Sequence, residues 1–258
     1  MSTVTVSFIQ TATVWHDPGA NRQLFSKWFG QIPSSAAMIL LPEMFSTGFT
    51  MKPEQVAERM QGPTVSWLRD EAQRLDKTLG GSVVIAEEGG YFNRFVWATP
   101  DHGLVHYDKR HLFRMAGEHN HYAAGGARPV WSLGALRVRP MVCYDLRFPV
   151  WLRRQDDYDL LACVANWPAA RLDAWRTLLK ARAIENQSFV IGVNILGKDG
   201  AGVEYAGGSV AFGPDGQCLC DAGDSEGVFA VDLDLDHLAR YRAGFPAWQD
   251  ADEFNINE

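Results

Sequence analysis

No apolar run in this sequence approaches the ~18–20 residues that carry a helix across a bilayer; the clear ones are short, as at residues 36–41. The first basic residue is Arg22, so the N-terminus lacks the charged opening of a secretory signal. Cysteine is sparse. Cys143, Cys163, Cys218 and Cys220 are too few and too irregularly spaced to be the disulfide framework of a 258-residue chain. Positive charge is not in excess either: 24 Lys+Arg stand against 31 Asp+Glu, a net charge of −7, which speaks against a generic nucleic-acid surface. Pro/Ser-rich linkers, charge blocks, low-complexity tracts and short-period repeats are all missing, so residues 1–258 read as a single domain. These absences leave a soluble, cytoplasmic protein with no membrane and no nucleic-acid partner.

What is present is an ordinary globular composition, 47% hydrophobic and 21% charged, enough for a buried core. Residues 3–9 alternate apolar and polar as a half-buried strand does. A helix is expected from Pro18 to about Gly30, with Leu24, Trp28 and Phe29 on one face. Residues 37–41 suit a strand covered on both sides. Residues 63–79 read as an amphipathic helix ended by Gly80-Gly81, and residues 82–87 and 92–99 as strands joined through Glu88-Gly89-Gly90. Residues 138–143 and 160–165 are strand-like, with a short helix over 149–154 between them. Residues 171–186 form the best helix, with Leu172, Trp175, Leu178, Leu179 and Ile184 on an apolar side. Strands follow at 189–194, 209–212, 217–221 and 228–233. A (β/α)8 barrel needs eight strand–helix units, and only about five helices are readable. A layered α/β sandwich with mixed sheets fits better.

Three constellations could carry chemistry. Glu43, in Leu41-Pro42-Glu43, follows an apolar strand and a proline, at the kind of sheet edge where α/β folds gather ligands. Burial at such an edge brings a carboxyl group toward proton exchange near neutrality; the plainer reading is a solvated loop glutamate. Lys109 sits just past an apparent strand, amid other ionisable side chains. Desolvated beside a carboxylate it would orient a nucleophile or stabilise an oxyanion; otherwise it belongs to a polar turn. Cys143 ends a strand before a sharp turn, the layout of a nucleophile elbow, with the Tyr144 N–H aimed at the reacting centre. A free thiol with pKa about 8.5 needs a base or a positive charge to attack well, and free cysteine is often simply core, as Cys163 should be. A rival, metal-like set is His111, Glu118, His119 and His121, since zinc accepts His and Glu. His-x-His alone is a weak pattern, and the glycine pairs complete neither a dinucleotide fingerprint nor a phosphate loop.

Taken in order, Leu-Pro-Glu43, Tyr-Asp-Lys109-Arg-His-Leu-Phe and Val-Cys143-Tyr-Asp-Leu-Arg-Phe-Pro resemble the Glu, Lys and Cys motifs of the nitrilase (carbon–nitrogen hydrolase) superfamily. The resemblance extends over essentially the whole chain. It includes Ala165-Asn166-Trp167-Pro168 and the stretch from Ala181 to Gln187, and the ending from Phe245 to Asp252 is similar to the bacterial omega-amidase group. The chain departs from close relatives at Ile195, where Arg is common, and at Gly208, where Asp is common. The resemblance implies a four-layer α-β-β-α sandwich, pairing as a homodimer or larger homo-oligomer, and cofactor-free chemistry with no metal. It implies a triad of Glu43, Lys109 and Cys143, with Glu118 as a second active-site glutamate, so that the His-rich segment becomes a wall of the site. The substrates implied are omega-amides of the 2-oxoglutaramate and 2-oxosuccinamate type, cleaved through a Cys143 thioester. Tyr144, Trp167 and Arg147 then fall on the substrate side. For Arg147 two roles stay open: bidentate binding of the substrate's free carboxylate, or a structural ion pair with Asp145 or Glu185. Another amide, a nitrile or an N-carbamoyl compound is the alternative substrate, and a non-catalytic binding relative the alternative class.

Overall fold

The computed structural model describes residues 3–256 apart from Gly89. In chain order it forms β1 (Thr3–Gln10), α1 (Pro18–Phe29), β2 (Ala36–Leu40), α2 (Pro63–Leu75), β3 (Thr78–Glu87), β4 (Gly90–Ala98) and β5 (Leu104–Asp108). There follow β6 (Trp131–Leu133), β7 (Leu136–Val142), α3 (Pro149–Leu152), β8 (Leu160–Val164), α4 (Leu172–Asn186) and β9 (Phe189–Val193). The chain closes with β10 (Leu196–Lys198), β11 (Glu204–Ala206), β12 (Val210–Phe212), β13 (Cys218–Asp221), β14 (Gly227–Asp234) and α5 (Leu235–Gly244). Among the described residues, no helix is long and apolar enough to cross a membrane.

Two six-stranded sheets result, in the orders β14-β1-β2-β3-β4-β5 and β13-β12-β9-β8-β7-β6. Each has a parallel centre, β1-β2-β3 in one and β7-β8-β9 in the other, with antiparallel strands at the margins. Side-chain alternation assigns the faces. Phe8, Met38, Leu40, Phe95 and Trp97 of the first sheet join Leu136 and Val138 of the second in one core. Their neighbours Ile9, Ile39, Leu41, Val96 and Ala98 point the other way, onto Phe25, Phe29, Val65 and Leu68 of α1 and α2. On the far side α4 lays Trp175, Leu179 and Ala183 against the second sheet. This is the expected four-layer α-β-β-α sandwich with mixed sheets. Slipping any strand by one residue would exchange its two faces, so the register is firmly held.

Local chemistry starts the helices. Asp17 accepts the Ala20 N–H at 2.9 Å and Pro18 opens α1, while Pro63 opens α2 with Glu58 accepting the Thr64 and Val65 N–H groups. Three expectations need correction. The helix expected over 63–79 ends at Leu75, with Asp76 in the left-handed region (φ 54°). Gly80 and Gly81 do not terminate it; they lie inside β3, where a Cβ would come within 2.9 Å of Phe95 and 2.8 Å of the Leu41 Cβ. The buried face of α1 is Asn21, Phe25 and Phe29, with Leu24 and Trp28 at its flanks. On α4, Ile184 is 47% exposed. Its buried flank instead carries Arg182, whose guanidinium donates to the Leu146 carbonyl at 3.1 and 2.8 Å and so ties α4 to the turn after Cys143. Of the connection expected through Glu88-Gly89-Gly90, Gly89 lies outside the described residues.

Gly81→Ala is expected to overpack this contact, lowering stability by about 1–3 kcal/mol. Urea unfolding should show a lower midpoint at unchanged slope; a midpoint equal to wild type would mean that the Leu41 stem gives way freely.

Candidate active site

Glu43 lies just beyond β2 and Lys109 is the first residue past β5; Cys143 is the first past β7, and Asn166 lies just past β8. The first two come from one sheet and the last two from the other, all at the carboxyl ends of strands. They meet between the sheets. The side chains of Lys109, Glu43 and Glu118 have 0% exposure. The Lys109 ammonium donates to Glu43 Oε1 at 3.0 Å and to Glu118 Oε1 and Oε2 at 3.0 and 2.9 Å. Glu43 Oε1 also accepts Asn93 Nδ2 at 2.7 Å, and its Oε2 accepts the Asn166 N–H at 2.7 Å. Ser82 Oγ orients Asn93 by donating to its Oδ1 at 2.8 Å.

Burial by itself would lower the Lys109 pKa, but Glu118 and Glu43 outweigh it and hold the ammonium well above its ordinary range. Glu118 moves up, because burial and the nearby Glu43 charge outweigh the Lys109 contact. One cation between two buried carboxyl groups leaves an uncompensated negative charge, which burial opposes.

Cys143 opens a 3-10 turn, Cys143–Arg147, with φ 48°. That left-handed backbone is unfavourable for any side chain and makes the elbow sharp. The turn's opening N–H groups, Tyr144 among them, have no acceptor within the turn. Burial, with Glu43 adding to it against Lys109, pushes the Cys143 thiol well above its ordinary value. A thiol shifted upward in this way needs a base close by before it can act as a nucleophile. Behind the elbow, buried Asp145 accepts the Tyr107 hydroxyl at 2.8 Å, the His111 N–H at 2.9 Å and the Val142 N–H at 3.0 Å, and pairs with His111 Nδ1 at 2.8 Å. These bonds fasten the lysine-bearing segment to the cysteine turn.

A cavity of about 690 Å³ opens above Cys143. Tyr144, Arg147 and Trp167, all named from the sequence, line it together with Trp15, Phe49 and Phe113. The ion pair considered for Arg147 does not form: Asp145 is occupied as described, and Glu185 is held by Arg182 at 3.0 Å. The Arg147 guanidinium lies 5.0 Å from the Trp167 ring centre instead. The metal-like set also disperses. His111 is committed to Asp145, Glu118 turns inward to Lys109, and His119 and His121 are exposed. Cys163 is buried core. Asn93 was not read from the sequence, and Asn166 was quoted without a role. A signal for Asn93 existed, since it is the polar residue at an inward position of a strand whose other inward side chains are Phe95 and Trp97.

The family model for carbon–nitrogen hydrolases matches residues 5–243. The chain belongs to this family. It is accordingly a hydrolase of carbon–nitrogen bonds other than peptide bonds. Carbon–nitrogen hydrolases similar to it include an omega-amidase of Yersinia enterocolitica, 46% identical over 98% of this chain and 99% of that protein. A 2-oxoglutaramate amidase of Bacillus subtilis is 30% identical over 95% and 96%. Among solved structures, a CN-hydrolase superfamily protein of Xanthomonas campestris, with an arsenic adduct in its active site, superposes with TM-score 0.97 at 44% identity over 100% of both chains. An amidase variant from Nesterenkonia sp., bearing acrylamide on its active-site cysteine, superposes with TM-score 0.81 at 27% identity, over 95% of this chain and 98% of that one.

The raised thiol predicts how Cys143 reacts without substrate. Its alkylation by iodoacetamide, followed on its own tryptic peptide, should keep climbing with pH beyond the ordinary thiol range near 8.5. A plateau below pH 7 would instead reveal a preformed thiolate.

Proposed function

We propose that this carbon–nitrogen hydrolase is an omega-amidase, cleaving the terminal amide of short dicarboxylate monoamides such as 2-oxoglutaramate and 2-oxosuccinamate to the dicarboxylate and ammonia. The observation that carries the chemistry is the Lys109 ammonium locked between Glu43 and Glu118 beside an elbow cysteine. The choice of substrate is supported by the named relatives and by the Arg147 guanidinium in the cavity wall, which has no ion-pair partner among the described residues.

Glu43 takes the thiol proton as the Cys143 sulfur bonds to the amide carbon. The carbonyl electrons move to oxygen, where Lys109 and the Tyr144 N–H stabilise them; losing one such donor typically costs about 2.7–4 kcal/mol. Collapse breaks the C–N bond, and Glu43 returns its proton to the departing ammonia. Water then gives a proton to Glu43 and attacks the thioester, and collapse of this second adduct releases the acid and restores the thiol. Glu118 holds Lys109 in place and positions substrate or water. Arg147 binds the far carboxylate, and Trp167 forms the wall under it. These steps use protein groups and water, with no cofactor and no metal. The reading takes residues 1–258 as one hydrolase unit, working in the cytoplasm as a homodimer or larger homo-oligomer.

The test is ammonia release from 2-oxoglutaramate, 2-oxosuccinamate, glutamine, asparagine, butyramide and a simple nitrile, side by side. The two oxo acids should lead; equal rates across the panel would overturn the substrate assignment. Cys143→Ala should fold and give no turnover, and a slow substrate should leave an acyl mass on the Cys143 peptide of the wild type. Glu118→Gln should keep Cys143 alkylation but lose most of kcat. Arg147→Met should raise KM for the acids by roughly ten- to a hundredfold, the range of a charge-assisted contact of about 1.5–3 kcal/mol. Butyramide should suffer far less, whereas equal losses on both would mark Arg147 as structural.

A further inference from the structure

Arg147 is not alone in the cavity. Arg171 lines it too, with its guanidinium 5.5 Å from the Phe113 ring centre. Among the described residues neither guanidinium makes a hydrogen bond or an ion pair; each rests on an aromatic face, which holds the group while leaving its N–H fork free. The two supports are joined. Trp167, which carries Arg147, donates its Nε1–H to the Arg171 carbonyl at 2.8 Å, and Phe113, which carries Arg171, packs against Tyr144 at 5.0 Å between ring centres. Both cations are thus mounted on one aromatic frame that reaches the residue beside the nucleophile.

The rest of the lining sharpens the picture. Lys52 adds a third cation, and Asp199 is the acid among the described lining residues. Asp199 is consumed by its own hairpin: Oδ1 accepts the Ala201 and Val203 N–H groups at 2.9 Å each, and Oδ2 accepts the Tyr205 hydroxyl at 2.8 Å. A chain of net charge −7 therefore presents its substrate with a cavity of free positive charge. Such a wall suits a ligand end that only accepts hydrogen bonds. A 2-oxo carboxylate is such an end, offering a ketone oxygen beside the carboxylate. A 2-amino carboxylate offers an ammonium group at the same place, which the cations repel.

We propose that Arg171 is a specificity-determining residue that binds the 2-oxo carboxylate end together with Arg147, and so selects 2-oxo omega-amides over the corresponding amino acids. This deepens the omega-amidase reading and rests on it.

Ammonia release by wild type, Arg171→Met and Arg171→Lys is measured on 2-oxoglutaramate, glutamine and butyramide. Arg171→Met should lose about ten- to a hundredfold in kcat/KM on 2-oxoglutaramate, mainly through KM, so that the preference over glutamine falls at least about tenfold. The loss on butyramide should be far smaller, and Arg171→Lys should recover part of the preference, because an ammonium keeps the charge without the fork. If Arg171→Met does not fold, the lysine variant alone must still show a reduced preference. Equal losses on all three substrates, or an unchanged preference in both variants, would overturn the assignment. A wild type that cleaves butyramide but ignores 2-oxoglutaramate would overturn the omega-amidase reading itself, and this inference with it.

Discussion

A lysine ammonium sealed from water must have partners, and most of the site follows from that constraint. Lys109 finds both partners, Glu43 and Glu118, on its own side of the sandwich, and leaving such a charge unpaired by removing one partner typically costs about 3–5 kcal/mol. Its two carboxyl partners need further donors of their own, which the Asn93 amide and the Phe113 and Asn166 N–H groups provide. Asn166 also donates its side-chain amide to the Glu43 carbonyl at 2.7 Å, so the glutamate is itself a tie between the two sheets. The base is placed by the same bonds that close the sandwich. Catalytic geometry and folding are one problem here, because the reacting groups converge only when both sheets are packed.

The site has two tiers with different physics. At the floor, the buried side chains of Lys109, Glu43 and Glu118 are hydrogen-bonded to one another, and burial pushes the Cys143 thiol up. Above it, the walls are aromatic and the charges on them are held by ring faces. In the proposed reaction the floor breaks the bond and the upper tier selects the substrate. Arg147 and Arg171 both lie in the upper tier.

Much of this was legible in the linear sequence, for a reason particular to strands. A short apolar run that ends abruptly, as before Glu43 and Cys143, marks the edge of a sheet, and the residue after it is exposed to chemistry. Lys109 also follows a strand, but one of mixed polarity, Leu-Val-His-Tyr-Asp, so no apolar run marks it. Glu118 reaches Lys109 through two short 3-10 turns that carry no periodic signal, and only the family resemblance placed it in the site. The role of Arg147 depended on whether acids nearby were already occupied, which spacing cannot tell. Gly80-Gly81 reads as a helix stop because glycine does end helices; what the pair answers here is the closeness of Leu41 and Phe95. Strands of three residues, such as β6, β10 and β11, are too short to show alternation at all.

Two residues in this structure hold left-handed backbone without being glycine at the points where chemistry begins: Met44, at φ 42° directly after Glu43, and Cys143 at φ 48°. Such conformations cost on the order of 1–3 kcal/mol each. A glycine at either place would relax the chain, so selection for stability alone would favour erasing the nucleophile.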